Sequence, residues 1–258
     1  MDNLKEQLDI LVKKYETPDF IKNDPVQFLH RFSKMQDIEI AGLIASSLAY
    51  GKREAFIEKL NYIFKILGTS PHDFCLNLDK TACEYFFKDF KYRFNTGADI
   101  CILLGKLNEF YRSNQSFDNY IEINIDKDER TSKKVITMLS DKLTQNVSQK
   151  SYCYLFPSPI ANSACKRLNL FLKWVVRKSS VDLGIWNCME AKDLIIPLDV
   201  HVAKVSRALK LTNRKANDWQ TAEEITKKLK EFDFHDPIKY DFALFDIGID
   251  KLTVKLLS

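Results

Sequence analysis

A chain of 258 residues, 45% hydrophobic and 29% charged, can bury one substantial core or two modest ones without covalent staples. Its six cysteines, at 75, 83, 101, 153, 165 and 188, form no CxxC pair and no tight cluster, which excludes zinc and iron–sulfur sites and points to reduced, buried thiols; no metal or cofactor is expected. No run of about 18 apolar residues occurs, so no membrane span is expected and the cytoplasm is the expected compartment, while a net charge of +4 does not by itself argue for nucleic acid.

Turn-bounded strand patterns are scarce and helical periodicity dominates, so the fold class is all-α. Helix starts are legible at Asp24-Pro25, Ser70-Pro71 and Asp236-Pro237, each a side-chain acceptor followed by proline at the first helical position. Thr221–Glu224 reads as a capping box. Amphipathic runs place helices at about 4–15, 25–34, 37–50, 53–67, 97–113, 132–146, 163–178, 199–210, 221–231 and 237–248, with Gly51 and Gly68 closing two of them. The polar segment 115–131 reads as a connection or a short, poorly packed helix, separating two lobes. No internal repeat is present, and residues 251–258 do not have the composition of an accessory module.

Charge is uneven along the chain. From Lys166 to Lys215 there are 11 Lys/Arg against 4 acids, a balance of +7 that leaves −3 for the remainder. A local basic surface attracts a polyanion whatever the net charge, although solvated helix faces have the same composition. Within this stretch Leu155–Pro159 interrupts the helices, and Asn162-Ser-Ala-Cys-Lys166 opens the next one. Its Leu168, Phe171, Leu172, Val175 and Val176 form an apolar face, with Lys166, Lys173 and Arg177 on another. A helix, a tight turn and a helix follow from this, and a helix start there offers backbone N–H groups to a phosphate. Further on, Pro197-Leu-Asp-Val-His201 starts a helix whose core stripe is Val202, Val205 and Leu209; Asp199 at its N-terminus has the place of an ordinary N-cap. The histidines at 30, 72, 201 and 235 lack zinc-site spacing, and neither a phosphate loop nor a nucleophile elbow occurs.

The segment Pro197–Arg207 resembles the V-D-x-H-V-x-R-V aspartate segment of helix-hairpin-helix DNA glycosylases. Ser163-Ala-Cys-Lys166 resembles the hairpin lysine of those members that also cut the strand, and the 33-residue interval from Lys166 to Asp199 is most similar to archaeal 8-oxoguanine glycosylases. Glu39–Arg53 is similar to the helix end that inserts a side chain into the vacated base stack. With 24–31, 166–174 and 239–245 the likeness covers most of the chain, and is greatest to a bacterial branch of that superfamily. Two features depart from it: Pro157-Ser-Pro159 stands where the commoner members have G-x-G glycines, and their C-terminal four-cysteine motif is absent.

The resemblance implies a two-lobed all-α bundle forming one unit over 1–258, a helix-hairpin-helix at about 148–178, a catalytic-aspartate helix at about 198–210 and an active-site cleft between the lobes. It implies double-stranded DNA containing a damaged base, 8-oxoguanine by the best match, as the partner of a monomer at the bacterial nucleoid. It further implies Lys166 as nucleophile with Asp199 as its catalytic partner, and Asp241, Phe245 and Trp186 as the base pocket. Tyr50, Lys52, Arg53, Ser158, Ser163, Arg167, Lys173 and His201 are the implied DNA contacts, with the first three as candidates for the wedge that fills the gap.

These residue types suit that chemistry. A base inside a duplex must be extruded, at a cost of a few kcal/mol. Cleaving its glycosidic bond develops positive charge on the sugar, which a carboxylate stabilises while accepting a proton from the nucleophile. An amine that attacks C1′ leaves a Schiff base, which permits loss of the C2′ proton and of the 3′ phosphate; water cannot do this. The alternatives are a monofunctional glycosylase in which Asp199 activates water, and a helical DNA-binding protein without catalysis.

Overall fold

Helical periodicity dominates the sequence, and helices are what it forms. The structure, a computed structural model, describes residues 2–250; the tail 251–258, expected to carry no module, lies outside them. In chain order the elements are α1 (Asp2–Tyr15), α2 (Pro18–Ile21), α3 (Met35–Leu48), α4 (Arg53–Leu67), α5 (Pro71–Leu76), α6 (Lys80–Phe87), a hairpin of β1 (Lys91–Tyr92) and β2 (Asn95–Thr96), then α7 (Gly97–Ser113) and α8 (Phe117–Asn124). There follow α9 (Ser132–Thr144), α10 (Lys150–Cys153), α11 (Lys166–Val176), α12 (Val200–Ala208), α13 (Trp219–Phe232) and α14 (Asp241–Asp250), with short 3-10 turns between several of them. Among the described residues no helix is long and apolar enough to cross a membrane, and all six cysteines are free thiols.

Local chemistry explains most of the helix starts. Asp24 accepts from the Val26 N–H at 3.0 Å and Ser70 from that of Asp73 at 3.4 Å, as their sequence context predicts. Two predicted starts are corrected. Helix α13 begins earlier than the predicted capping box: Asp218 is the cap, accepting from Thr221 N at 2.9 Å, so Thr221 lies inside the first turn. Asp236 makes no cap hydrogen bond, because both its oxygens take Arg177 Nε at 2.9 Å.

The core is arranged around α3, which is buried from Asp37 to Leu48. It packs against α11, the helix that begins with Lys166. Gly42 permits this: a Cβ there would lie 3.0 Å from the Phe171 ring and 3.1 Å from Leu29 Cδ2, tighter than side chains tolerate without shifting. The same helix carries a buried acid, Glu39. Its Oε1 accepts from Trp186 Nε1 at 2.8 Å and Asp118 N at 3.2 Å, and its Oε2 from the Tyr111 hydroxyl at 2.8 Å and Phe117 N at 3.0 Å. Burial pushes this carboxyl up to about 7 against the pull of those donors. Each oxygen therefore faces a backbone N–H, and an amide in its place must set its NH2 against one of them. Glu39→Gln is expected to destabilise the fold by about 2–3 kcal/mol, read as a lowered denaturation midpoint; an unchanged midpoint would show that Glu39 does not hold the start of α8.

That contact also bears on 115–131: a short helix is present there, as one of the two readings expects, but it is well packed. Helix α8 lies inside this segment and is part of the core: Phe117 stacks on Phe110 at 4.0 Å, and Ile121 and Ile125 are buried. Arg130 ties the following turn down by donating to the carbonyls of Ile125, Glu122 and Cys188.

A second correction concerns the predicted basic face of α11. Arg177 is buried, with salt bridges to Glu16, Asp182 and Asp236, so it joins the end of α1 to the segment before α14. Lys173 and Arg167 are buried as well. Helical spacing puts Lys166, Lys173 and Arg177 on one side of α11, but around the latter two that side packs against acids and rings instead of water. The exposed basic residues of 166–215 are Lys178, Lys204, Lys210 and Lys215.

Candidate active site

Two helix starts meet to form the site. At the first, Asn162 and Cys165 adopt left-handed φ of 55° and 46°, which supplies the tight turn that glycines would otherwise make. Cys165 is the N-cap of α11 and provides no side-chain cap; its Sγ is buried against the carbonyls of Pro157 and Ser163, and burial pushes the thiol up to about 12, so it is inert. Lys166 is the next residue. At the second, Asp199 caps α12, its Oδ1 accepting from His201 N at 2.8 Å and Val202 N at 2.9 Å. Those bonds fix the carboxylate rotamer and leave Oδ2 facing Lys166 Nζ at 3.1 Å. Asp199 is the N-cap that its place in the sequence predicts, and its other oxygen lies beside Lys166, so one oxygen serves each contact. The Lys166 side chain is 32% exposed and that of Asp199 12%, so the amine is accessible to a ligand and the acid is mostly shielded.

The pair borders a cavity of about 1100 Å³, at the upper end of the range for small-ligand pockets. Tyr50, Lys52, Arg53, Ser163, Arg167, Lys173, His201, Asp241 and Phe245 all line it, which brings together residues up to 195 positions apart in the chain. Trp186 and Ser158 do not. Trp186 is 3% exposed, bonded to Glu39 and edge-on to Phe171, so its expected place in the base pocket is corrected to the core. Ser158 caps the turn 159–161 by accepting from Ile160 N at 3.3 Å. Ser163 Oγ likewise accepts from a backbone donor, Cys165 N.

Two of the predicted phosphate contacts have other partners. Arg167 donates to the Tyr154 carbonyl and lies over the Tyr154 ring at 4.2 Å; burial lowers its guanidinium, and Nη1 has no hydrogen-bond partner among the described residues. Lys173 pairs with Asp241 at 2.7 Å above the Phe242 ring, 3.7 Å from its centroid. Burial by itself would lower the Lys173 ammonium, but the carboxylates of Asp241 and Asp182 outweigh it and raise it. The cavity floor is therefore an ion pair on an aromatic surface. Phe245 stands nearby with the His201 ring at 6.3 Å and the Arg53 guanidinium at 5.6 Å, leaving Arg53 as a cavity-lining cation beside Lys52, with the His201 imidazole on the same wall.

Sequence reasoning recognised Asp24 only as a helix cap. It also lines the cavity, and burial raises its carboxyl, opposed by the Val26 N–H and by Lys173. Tyr154 was missed as well; it lines the cavity from just after α10. An aromatic residue placed just before the interrupting segment Leu155–Pro159 was the available signal.

A family model described as "Protein of unknown function (DUF2400)" matches residues 24–250, a span that holds Lys166, Asp199 and each cavity-lining residue named above. No curated protein and no solved structure matches the chain.

Proposed function

The chain belongs to the family so described, and we propose that it is a DNA glycosylase with lyase activity, which extrudes a damaged base into the cavity, removes it and nicks the strand. The observation that carries this reading is the Lys166–Asp199 pair, 3.1 Å apart on the wall of that cavity. Simple phosphate binding needs no acid beside the amine, whereas covalent attack does.

On this reading Asp199 Oδ2 takes a proton from Lys166 Nζ, and the freed amine attacks C1′ of the extruded nucleotide. The C1′–N bond breaks with its electron pair leaving on the base, which takes the proton held by Asp199 and leaves that residue a carboxylate again. The C1′–O4′ bond then opens, O4′ taking a proton from Nζ, to give a Schiff base on Nζ; loss of the C2′ proton expels the 3′ phosphate, and water later releases the lysine. The Asp199 carboxylate, held by two N–H groups, faces the positive charge that develops on the sugar. The finer architecture belongs to the same proposal: 148–178 as a helix-hairpin-helix that grips phosphate, the cavity as a cleft between two lobes, and a monomer acting on duplex DNA at the nucleoid.

For the lesion, a purine oxidised at C8 carries an N7–H donor that undamaged guanine lacks, and Asp241 is the acceptor available to it. Phe245 supplies a face for the ring. In a panel of duplexes bearing single lesions, 8-oxoguanine is expected to be released at least tenfold faster than undamaged guanine or uracil. Release of another lesion alone would keep the glycosylase and discard the 8-oxoguanine assignment.

A further inference from the structure

The hairpin of β1 and β2 is an outlier in this fold. Strands of two residues do not hold themselves together, yet this hairpin is held in place by its surroundings. The Tyr92 hydroxyl donates to the Tyr50 carbonyl, the Tyr50 hydroxyl donates to Asn95 Oδ1, and Asn95 Nδ2 donates to the Ser151 carbonyl at 2.8 Å. The hairpin rests on the turn at Gly51, where φ is +86° and a Cβ would meet the Tyr92 hydroxyl at 2.7 Å. Its tip is Arg93-Phe94, and Arg93 has a φ of +54°, a left-handed conformation that bulky residues rarely adopt and that concentrates at functional sites.

What this scaffold holds out is an aromatic surface. Phe94 is 47% exposed and so is Tyr154. Phe94 stacks with Tyr50 at 5.7 Å and 27°, and meets Tyr154 edge-on at 4.6 Å. Tyr50 and Tyr154 line the cavity while Phe94 does not, so the rings run continuously from the cavity wall onto the outer surface. Segments 50–54 and 91–96 surround them with Lys52, Arg53, Lys91 and Arg93 against one acid, Glu54. Exposed rings interleaved with cations are the composition that stacks unpaired bases and holds their backbone.

Given the glycosylase reading, on which this rests, we infer that Phe94 and Tyr154, with Arg93, form a stacking platform for the unpaired base that stays in the duplex when its partner is drawn into the cavity. Tyr50, bonded through its hydroxyl to Asn95, is the fixed support of this platform, and the wedge role expected of it passes to Phe94 at the hairpin tip. Tyr154 stands at the cavity wall and Phe94 and Arg93 lie beyond it, so the platform meets what the extruded nucleotide leaves behind.

The test uses the full chain and a duplex in which 2-aminopurine lies opposite a tetrahydrofuran abasic analogue, which has no base to lose and cannot form a Schiff base. The wild type is expected to bind it more tightly than an intact duplex and to quench the 2-aminopurine on stacking. Phe94→Ala is expected to weaken binding about tenfold or more and to restore the fluorescence. Phe94→Trp should retain both properties, and Phe234→Ala, an exposed ring elsewhere, should change neither. Wild-type binding and quenching that persist unchanged in Phe94→Ala would overturn the platform and leave the glycosylase reading standing, as would weakened binding with the quench intact. A wild type that shows no preference for the gapped duplex and no quench would overturn the platform together with the DNA reading.

Discussion

Lys166→Ala is expected to lower single-turnover nicking at the lesion by more than about a thousandfold, the scale of losing a nucleophile, while the fold stays intact. The partly exposed Lys166–Asp199 pair contributes only about 0–1 kcal/mol to stability, and Lys166 opens α11 without packing into its apolar face, so the denaturation midpoint should barely move. Lys166→Arg separates charge from nucleophilicity. It keeps a cation within reach of Asp199, but a guanidinium stays protonated and cannot attack C1′, so it should be as inactive as the alanine variant. Base release that continues in Lys166→Ala while nicking is lost would mean that water is the nucleophile, and Asp199 alone would carry the chemistry.

The second large effect is expected at Asp199, where stability and catalysis can be separated because the two carboxylate oxygens have different tasks. Asparagine is as good an N-cap as aspartate, and its side-chain oxygen can still accept from His201 N and Val202 N. Asp199→Asn should therefore leave the unfolding free energy within about 1 kcal/mol of the wild type and lower the rate of base release by about 10²–10⁴-fold, the usual contribution of an acid–base group. Asp199→Ala should add a loss of about 1 kcal/mol from the cap. DNA affinity of the asparagine variant should equal or exceed that of the wild type, since a negative charge has been removed. A full-rate Asp199→Asn enzyme would reduce Asp199 to a helix cap.

The helix starts that carry Lys166 and Asp199 are legible in the sequence because local chemistry determines them, whereas the roles of the two residues are what the resemblance implies. The core stripes of α11 and α12 follow from apolar spacing, and Val202, Val205 and Leu209 are buried as expected. The placement of Asp199 at a helix start follows from Pro197-Leu-Asp, and the spacing of residues along α11 is set by 3.6 residues per turn.

What was not legible depends on partners distant in the chain. Periodicity groups Lys166, Lys173 and Arg177 on one side of a helix, but it cannot say that Asp241 and the trio Glu16, Asp182 and Asp236 will cover the latter two. A polar segment such as 115–131 reads as solvent-exposed until Glu39, some 80 residues away, accepts its backbone donors. Trp186 has the composition of a base-stacking residue and is instead consumed by that same acid. The β hairpin leaves no periodic trace, since its strands are two residues long; only its side-chain anchors to Tyr50 and Ser151 make it a structure.

The most direct test of the central claim is borohydride reduction of the full chain mixed with duplex DNA carrying 8-oxoguanine, and in parallel with DNA carrying a natural abasic site, followed by mapping of any cross-linked peptide. The predicted result is a covalent adduct with both substrates, carried by Lys166 and absent from Lys166→Ala. No adduct on either substrate, or an adduct carried by another residue, would contradict the assignment of Lys166 as the Schiff-base nucleophile.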